Sequence, residues 1–361
     1  MRESDIIQLF FPDADTRRLD DCAALHVADS GQFQLHTTDS MVAGTHFRLD
    51  WSSPADLALK LVHCNLSDIL SSGGQARSAF LNLGLPTGIP EDFIVEFART
   101  LVAELERYSI DLAGGDTFRA PALFLSLHMI GCVHPLLQAA QPRGIERRGG
   151  QPGDFLYLTG TVGRSLAGLQ LLEQMSSRQM GATSSVEGGL EREVHLANTN
   201  TAESHAENGL ASHCRLQSQL AGLIQSQLSS AEQGCVQHHL QPRCRYDLFA
   251  DLIGRYKIHA MMDISDGLFP DAHRLAAAAD LCLDMQLEKI PVAECARTLL
   301  QPDDWIFSGE ELELLFLSPA NIAHPDIHCI GRATNQEQSG VRWFREHQPI
   351  IPASGRAFTH F

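Results

Sequence analysis

Residues 33–70, FQLHTTDSMVAGTHFRLDWSSPADLALKLVHCNLSDIL, hold a strand pattern followed by a helix pattern, and each pattern carries an aspartate. Phe33, Leu35 and Thr37 alternate with polar neighbours at the period of a half-buried strand. Pro54 then opens a helix with Leu57, Leu61, Cys64 and Asp68 on one face, so the Asp68 carboxylate falls on an apolar stripe. The strand signal returns at 79–85, 123–129 and 281–287, and a second helix pattern runs from about 90 to 108. Crossovers through helices, mixed with strands that follow one another directly, predict an α/β or α+β fold and not a helical bundle or a sandwich.

Five segments end apolar runs with aspartates set among small residues: RLDDCA (Asp20, Asp21), HTTDS (Asp39), NLSDIL (Asp68), LAGGDT (Asp116) and DISDGL (Asp263, Asp266). Burying a carboxylate costs several kcal/mol unless a positive charge compensates it. The chain has only three lysines, Lys60, Lys257 and Lys289, and none is expected beside these motifs. Divalent cations are an economical source of that charge, and hard oxygen ligands without His or Cys suit Mg²⁺, which commonly also holds substrate phosphates. TTD and GGDT follow apolar strands, so both carboxylates are expected at strand C-terminal ends, where open α/β sheets gather ligands.

Other motifs are weaker. DISDG resembles the start of a calcium loop, but the twelfth position is Arg274 where that loop needs Glu. TGTVGRS (159–165) has the glycines of a phosphate cradle without its lysine, and tight packing of helix on strand explains it as well. Cys235, His238, His239 and Cys244 can be drawn as a zinc site, but their spacing matches no zinc pattern.

The chain is 361 residues long, 44% hydrophobic and carries a net charge of −17. That size predicts two domains, and that charge argues against a nucleic-acid or anionic-membrane surface. Nine scattered cysteines without a CxxC pair read as core residues of a reducing compartment, and the charged N-terminus lacks a signal-peptide core, so a cytoplasmic location is expected. Pro, Gly and Arg concentrate at 138–153, which divides the chain into 1–137, a linker at 138–153, and 154–361. Residues 175–235 are expected to form a disordered or partly helical insertion, with Leu216, Leu220, Leu223, Ile224 and Leu228 marking an amphipathic helix.

Taken in order, RLDDCA, TTDSMVAGTHF, NLSDIL, LAGGDT, RRGGQPGDFLYLTGTVGRSLAGL, MMDISDGL, SGEELELLF and the terminal FTHF resemble the thiamine-monophosphate kinase family of the aminoimidazole-ribonucleotide-synthetase-like superfamily. The resemblance implies a two-domain synthetase-like fold, with an N-terminal α/β domain forming a homodimer and a C-terminal α+β domain. It also implies transfer of the γ-phosphoryl group of ATP onto thiamine monophosphate, giving thiamine diphosphate and ADP. By position, Asp21, Thr37, Thr38, Asp39, Asp68, Asp116, Asp263 and Asp266 would hold Mg²⁺, with Asp39 and Asp116 central to catalysis. Gly115, Asp116, Arg147 and Ser265 would contact ATP, while His46, Glu310 and Phe358 would face thiamine. Two segments depart from the family pattern: the glycine turn before Asp20 is missing, and GGEDYEL becomes SGEELEL, with Glu311 and Leu312 replacing Asp and Tyr. The alternatives are another ATP-using superfamily member, such as a cyclo-ligase or a selenophosphate-synthetase-like enzyme, and a non-catalytic thiamine-phosphate-binding protein.

Overall fold

The computed structural model describes residues 3–11, 20–28, 31–184, 217, 219–335 and 338–352. Helix α1 (Glu3–Phe10) precedes a first sheet of β1 (Ala23–Val27), β2 (Gln32–Val42), β3 (Gly74–Leu85), β4 (Asp111–Arg119) and β5 (Phe124–Val133). Helix α2 (Pro54–Ser71) joins β2 to β3, and α3 (Glu91–Arg107) joins β3 to β4. The strand order is β1-β2-β5-β3-β4. Within this sheet, among the described residues, only the β3–β4 pair, with its helical crossover, is parallel.

A second sheet contains β6 (Phe155–Thr159), β7 (Ala260–Asp263), β8 (Cys282–Gln286), β9 (Leu314–Ser318), β10 (Ile327–Thr334), β11 (Gly340–Arg345) and β12 (Gln348–Ile350), in the order β12-β11-β8-β10-β6-β9-β7. Helices α4 (Arg164–Ser184), α5 (Ser230–Leu240), α6 (Tyr246–Arg255), α7 (Leu268–Ala279) and α8 (Glu294–Leu299) belong to this half of the chain. The result is the mixed α/β class that the alternating patterns predict.

Helix α2 joins the two sheets. Its start is fixed by a capping box in which the Ser53 hydroxyl accepts the Asp56 N–H while the Asp56 carboxylate accepts the Ser53 N–H. Leu57, Leu61, Leu66 and Ile69 of α2 pack in one continuous core with Leu127 and Met129 of β5, Phe97 of α3, and Tyr157, Phe249 and Phe316 from the second half. Leu156, Leu158, Leu315 and Leu317 point to the opposite face of the second sheet and pack against Leu275 and Ala276 of α7. Because α2 is buried almost throughout, its polar side chains Lys60, His63, Asn65, Ser67 and Ser71 lie inside the protein and bond to protein partners.

Several expectations are corrected. The aspartates of TTD and GGDT lie within β2 and β4 and not at their C-terminal ends, because both strands continue past the motif. The segment at 138–153, expected as the linker, does run between the halves and bonds to each: the Ile145 N–H reaches the Ser72 carbonyl, and the Gln141 amide reaches the Ile258 carbonyl. Cys235 of α5 and Cys295 of α8 are joined by a disulfide, so the cysteines are not all free core thiols. Their helices pack together, which brings the two residues close across a separation of 60 positions. Within the expected insertion, α4 continues to Ser184 and residues 219–227 are helical, while 185–216 and 218 lie outside the described residues. Among the described residues no helix is long and apolar enough to cross a membrane.

Candidate active site between the two sheets

Carboxylate oxygens of Asp21, Asp68 and Asp263 lie within 4.8 Å of one another. Asp21 comes from the segment entering β1, Asp68 from α2 and Asp263 from the end of β7, so the group forms only where the two sheets meet across α2. The structure also says how these groups are held. Ser71 Oγ donates to Asp21 at 2.7 Å, Thr37 Oγ1 to Asp68 at 2.6 Å and Ser67 Oγ to Asp263 at 2.6 Å, while the Arg147 guanidinium pairs with Asp21.

Electrostatics mark this as an unsatisfied group. Burial, then the charges of Asp39, Asp263 and Asp21, push the Asp68 carboxyl well above the usual range. Burial and Asp21 do the same to Asp263. Asp39 is pushed up to about 6 by burial and by Asp21, Asp266 and Glu310. Among the described residues the buried Asp263 Oδ1 has no hydrogen-bond partner. An orphaned carboxylate oxygen among convergent carboxylates, with no His or Cys ligand in the group, is a donor set that fits a hard divalent cation.

The surrounding loops are pinned by hydrogen bonds. Asp271 Oδ2 accepts the N–H groups of Ser265, Asp266 and Gly267, which moulds the DISDG turn onto the start of α7. Arg274 pairs with both Asp266 and Asp271. Glu311 Oε1 accepts the N–H groups of Gly163 (2.8 Å) and Ser165 (3.1 Å) and the Ser308 hydroxyl (2.6 Å). The TGTVGRS turn therefore cradles a carboxylate of this chain at the N-terminus of α4, where a phosphate would sit in other folds. The SGEELEL departure serves that arrangement: Glu311 has the reach to cap α4, and Leu312 is buried in the core.

Beside the carboxylates opens a cavity of about 590 Å³, lined by His46, Trp51, Lys60, Ser265, Asp266 and Glu310 among others. His46 Nδ1 accepts the Val42 N–H, which orients the ring at the end of β2. Trp51 is buried beside Leu172 and Met175 of α4 and Leu220 of the returning helical segment, and its indole N–H donates to Ser176.

Two expected ligands lie elsewhere in a single copy. Thr38 and Asp116 occupy the face of the first sheet opposite Asp39, since strand pairing sets Asp116 opposite Asn82, Asn82 opposite Ser126, and Ser126 opposite Ser40. Asp116 stands on edge strand β4, three strand spacings from β2, about 14 Å at the usual separation. Gly115 has a φ of +152°, and a Cβ there would run into the Leu81 carbonyl, which explains the glycine. Phe358 and the FTHF segment lie outside the described residues.

Some residues of the site escape a reading of the sequence. Lys60, expected away from the motifs, donates to Glu310 Oε2 at 2.6 Å; its position four residues before Cys64 and eight before Asp68 was the available signal. Asn65, which accepts the Asp39 N–H through Oδ1, and Ser67 and Ser71 look like ordinary helix residues until α2 is seen to be buried. The zinc drawing dissolves: Cys235 pairs with Cys295, His238 with Glu311, His239 with Ser165, and Cys244 with His63.

Comparison with known proteins identifies the family. Residues 19–133 match the family of the AIR synthase related protein, N-terminal domain. The chain is 34% identical over 352 residues to the thiamine-monophosphate kinase of Leptospira interrogans, covering 96% of this chain and 93% of that one. It is 27% identical to the Escherichia coli enzyme of the same name, covering 95% and 90%. The fold is shared with AaThiL complexed with AMPPCP and TMP, at a TM-score of 0.72 and 24% identity over 99% of this chain and 96% of that one. The chain, an enzyme by its resemblance in sequence, belongs to the thiamine-monophosphate kinase family.

Proposed function

We propose that the protein transfers the γ-phosphoryl group of ATP to the phosphate of thiamine monophosphate, releasing ADP, in the cleft between the two sheets. The observation that carries this reading is the meeting of Asp21, Asp68 and Asp263, with Asp39 close by, at the edge of a cavity whose wall holds His46 and Glu310. The solved AaThiL complex, with its nucleotide analogue and TMP, supports the same assignment of ligands. Two anions must meet in this reaction, and their repulsion is a large part of the barrier. Mg²⁺ bound by Asp21, Asp39, Asp68 and Asp263 would supply the charge that offsets that repulsion. Thr37, Ser67 and Ser71 orient three of these carboxylates. Arg147, paired with Asp21, and Ser265, on the cavity wall, are the residues we assign to the nucleotide phosphates. Asp266 stays at the rim, paired with Arg274. The acceptor phosphate is already an oxyanion at neutral pH, so no general base is required.

We infer further that two copies pair through the open face of the first sheet. Phe80 and Phe118 are exposed there, Leu112 is exposed on the unpaired edge strand β4, and this is the face that carries Thr38 and Asp116. In this reading Gly115, Asp116 and Thr38 serve a site completed by the second copy. The test of the activity is ADP release measured with and without thiamine monophosphate, at fixed ATP, in Mg²⁺ and in excess EDTA. Release should require both thiamine monophosphate and Mg²⁺. Release that ignores thiamine monophosphate would assign the fold to another acceptor, and full turnover in EDTA would remove the metal.

A further inference from the structure

Of the three lysines, Lys60 alone is buried, with a side chain 3% exposed, and it ends at the cavity wall. Its Nζ donates to Glu310 Oε2 at 2.6 Å and to the His239 carbonyl at 3.4 Å. The pair joins α2, in the first half of the chain, to a loop of the second half across 250 positions. Glu310 needs such a partner. It lies within electrostatic reach of Asp39, so an unpaired carboxylate there would be repelled toward solvent.

The two ends of the pair differ in rigidity in a useful way. The Lys60 stem is fixed in a capped, buried helix. Glu310 sits at φ +54°, a left-handed conformation uncommon for a residue with a side chain, and its N–H is bonded to the Ser265 carbonyl at 2.7 Å. Its side chain is one-third exposed, on the cavity side. Lys60 engages Oε2, and the Glu310 side chain lines the cavity.

We propose that Lys60 is a positioning residue that holds the Glu310 carboxylate in place and aims it at the thiamine moiety of the substrate. This rests on the phosphotransfer reading above. The chemistry matches: an aminopyrimidine donates a hydrogen bond from its amino group, and a cationic thiazolium favours a nearby carboxylate. Lys60 itself touches neither ring; it acts through Glu310.

The test is a kinetic double-mutant cycle on the full chain with Lys60→Met, Glu310→Gln and the pair together. Each single variant should raise KM for thiamine monophosphate about tenfold, with KM for ATP within twofold and kcat within threefold. The double variant should be no worse than the Glu310→Gln variant alone, because the lysine then has nothing to orient. Lys60→Gln, which can still bond to Glu310 and the His239 carbonyl, replaces the Met variant if that one does not fold, with a smaller rise of about threefold. Independent effects that multiply in the double variant would overturn the inference, as would a lower melting temperature with KM unchanged, which would assign Lys60 to packing. A parent enzyme whose ADP release ignores thiamine monophosphate would overturn the substrate reading itself. A parent that depends on it, with lysine variants indistinguishable from it, would overturn only the role of Lys60.

Discussion

At Asp39, removing one charge should act in opposite directions on turnover and on the stability of the metal-free protein. Asp39→Asn keeps the side-chain shape and removes a charge that the reaction needs, so turnover should fall about 100-fold, roughly 3 kcal/mol. The same change removes a carboxyl that burial and then its acidic neighbours push up to about 6, so in EDTA at neutral pH the variant should melt at or above the parent temperature. Turnover within threefold of the parent would make Asp39 a structural residue of β2. Asp116→Asn makes a cleaner contrast, because the residue is exposed on β4. Its melting temperature should stay within about 0.5 kcal/mol of the parent in stability terms, while turnover falls by a similar factor. Unchanged turnover would remove Asp116 from the site. The carboxylates were readable as residues because buried aspartates demand compensation. Ser67, Ser71 and Asn65 were not, since nothing in their types separates a hydroxyl that orients a carboxylate from one that faces water.

At the scale of elements, the N-terminus of α4 depends on a residue nearly 150 positions away. Burial alone would raise the Glu311 carboxyl, but the His238 hydrogen bond and charge, with Arg164 and Ser308, hold it below its usual value. Glu311→Ala would strand the Gly163 and Ser165 N–H groups and leave the buried His238 without its acid, while Arg164 keeps Glu313, so unfolding in urea should show a loss of about 3–5 kcal/mol. A loss under about 1 kcal/mol would mean that water replaces the carboxylate and that the cap is not structural. The glycines of TGTVGRS signalled a helix start after a strand, but which anion fills that turn could not be read locally. Helix α2 has a similar history: its capping and apolar face are evident in 53–68, whereas its burial between two sheets, which turns Lys60 and Ser67 into site residues, is not.

At the scale of the molecule, the carboxylate cluster makes stability depend on pH and metal together. Asp39, Asp68 and Asp263 are all raised above the ordinary value near 3.8, so their protonated forms favour the folded state. That contribution is complete below about pH 4 and is lost as the pH rises through about 6 for Asp39. Asp271, buried and pushed up to about 7, adds a contribution of the same sign. In EDTA the melting temperature should therefore fall between pH 5 and pH 7.5. Added Mg²⁺ should raise it at pH 7.5 far more than at pH 5, since protons and metal compete for the same oxygens. Scanning calorimetry at the two pH values, with and without Mg²⁺, checks this; a Mg²⁺ effect independent of pH would place the ion away from these carboxylates.

The sequence by itself determined the fold class, the strands and helices that carry the aspartates, and the family, because these rest on local periodicity and on motifs kept in order along the chain. Only the tertiary structure decided which carboxylates meet. Asp21, Asp68 and Asp263 converge from segments nearly 250 positions apart, while Asp39 and Asp116, alike as strand aspartates, point to opposite faces of one sheet. Pairing register and strand order govern that outcome, and both are set by long-range contacts that no local pattern encodes.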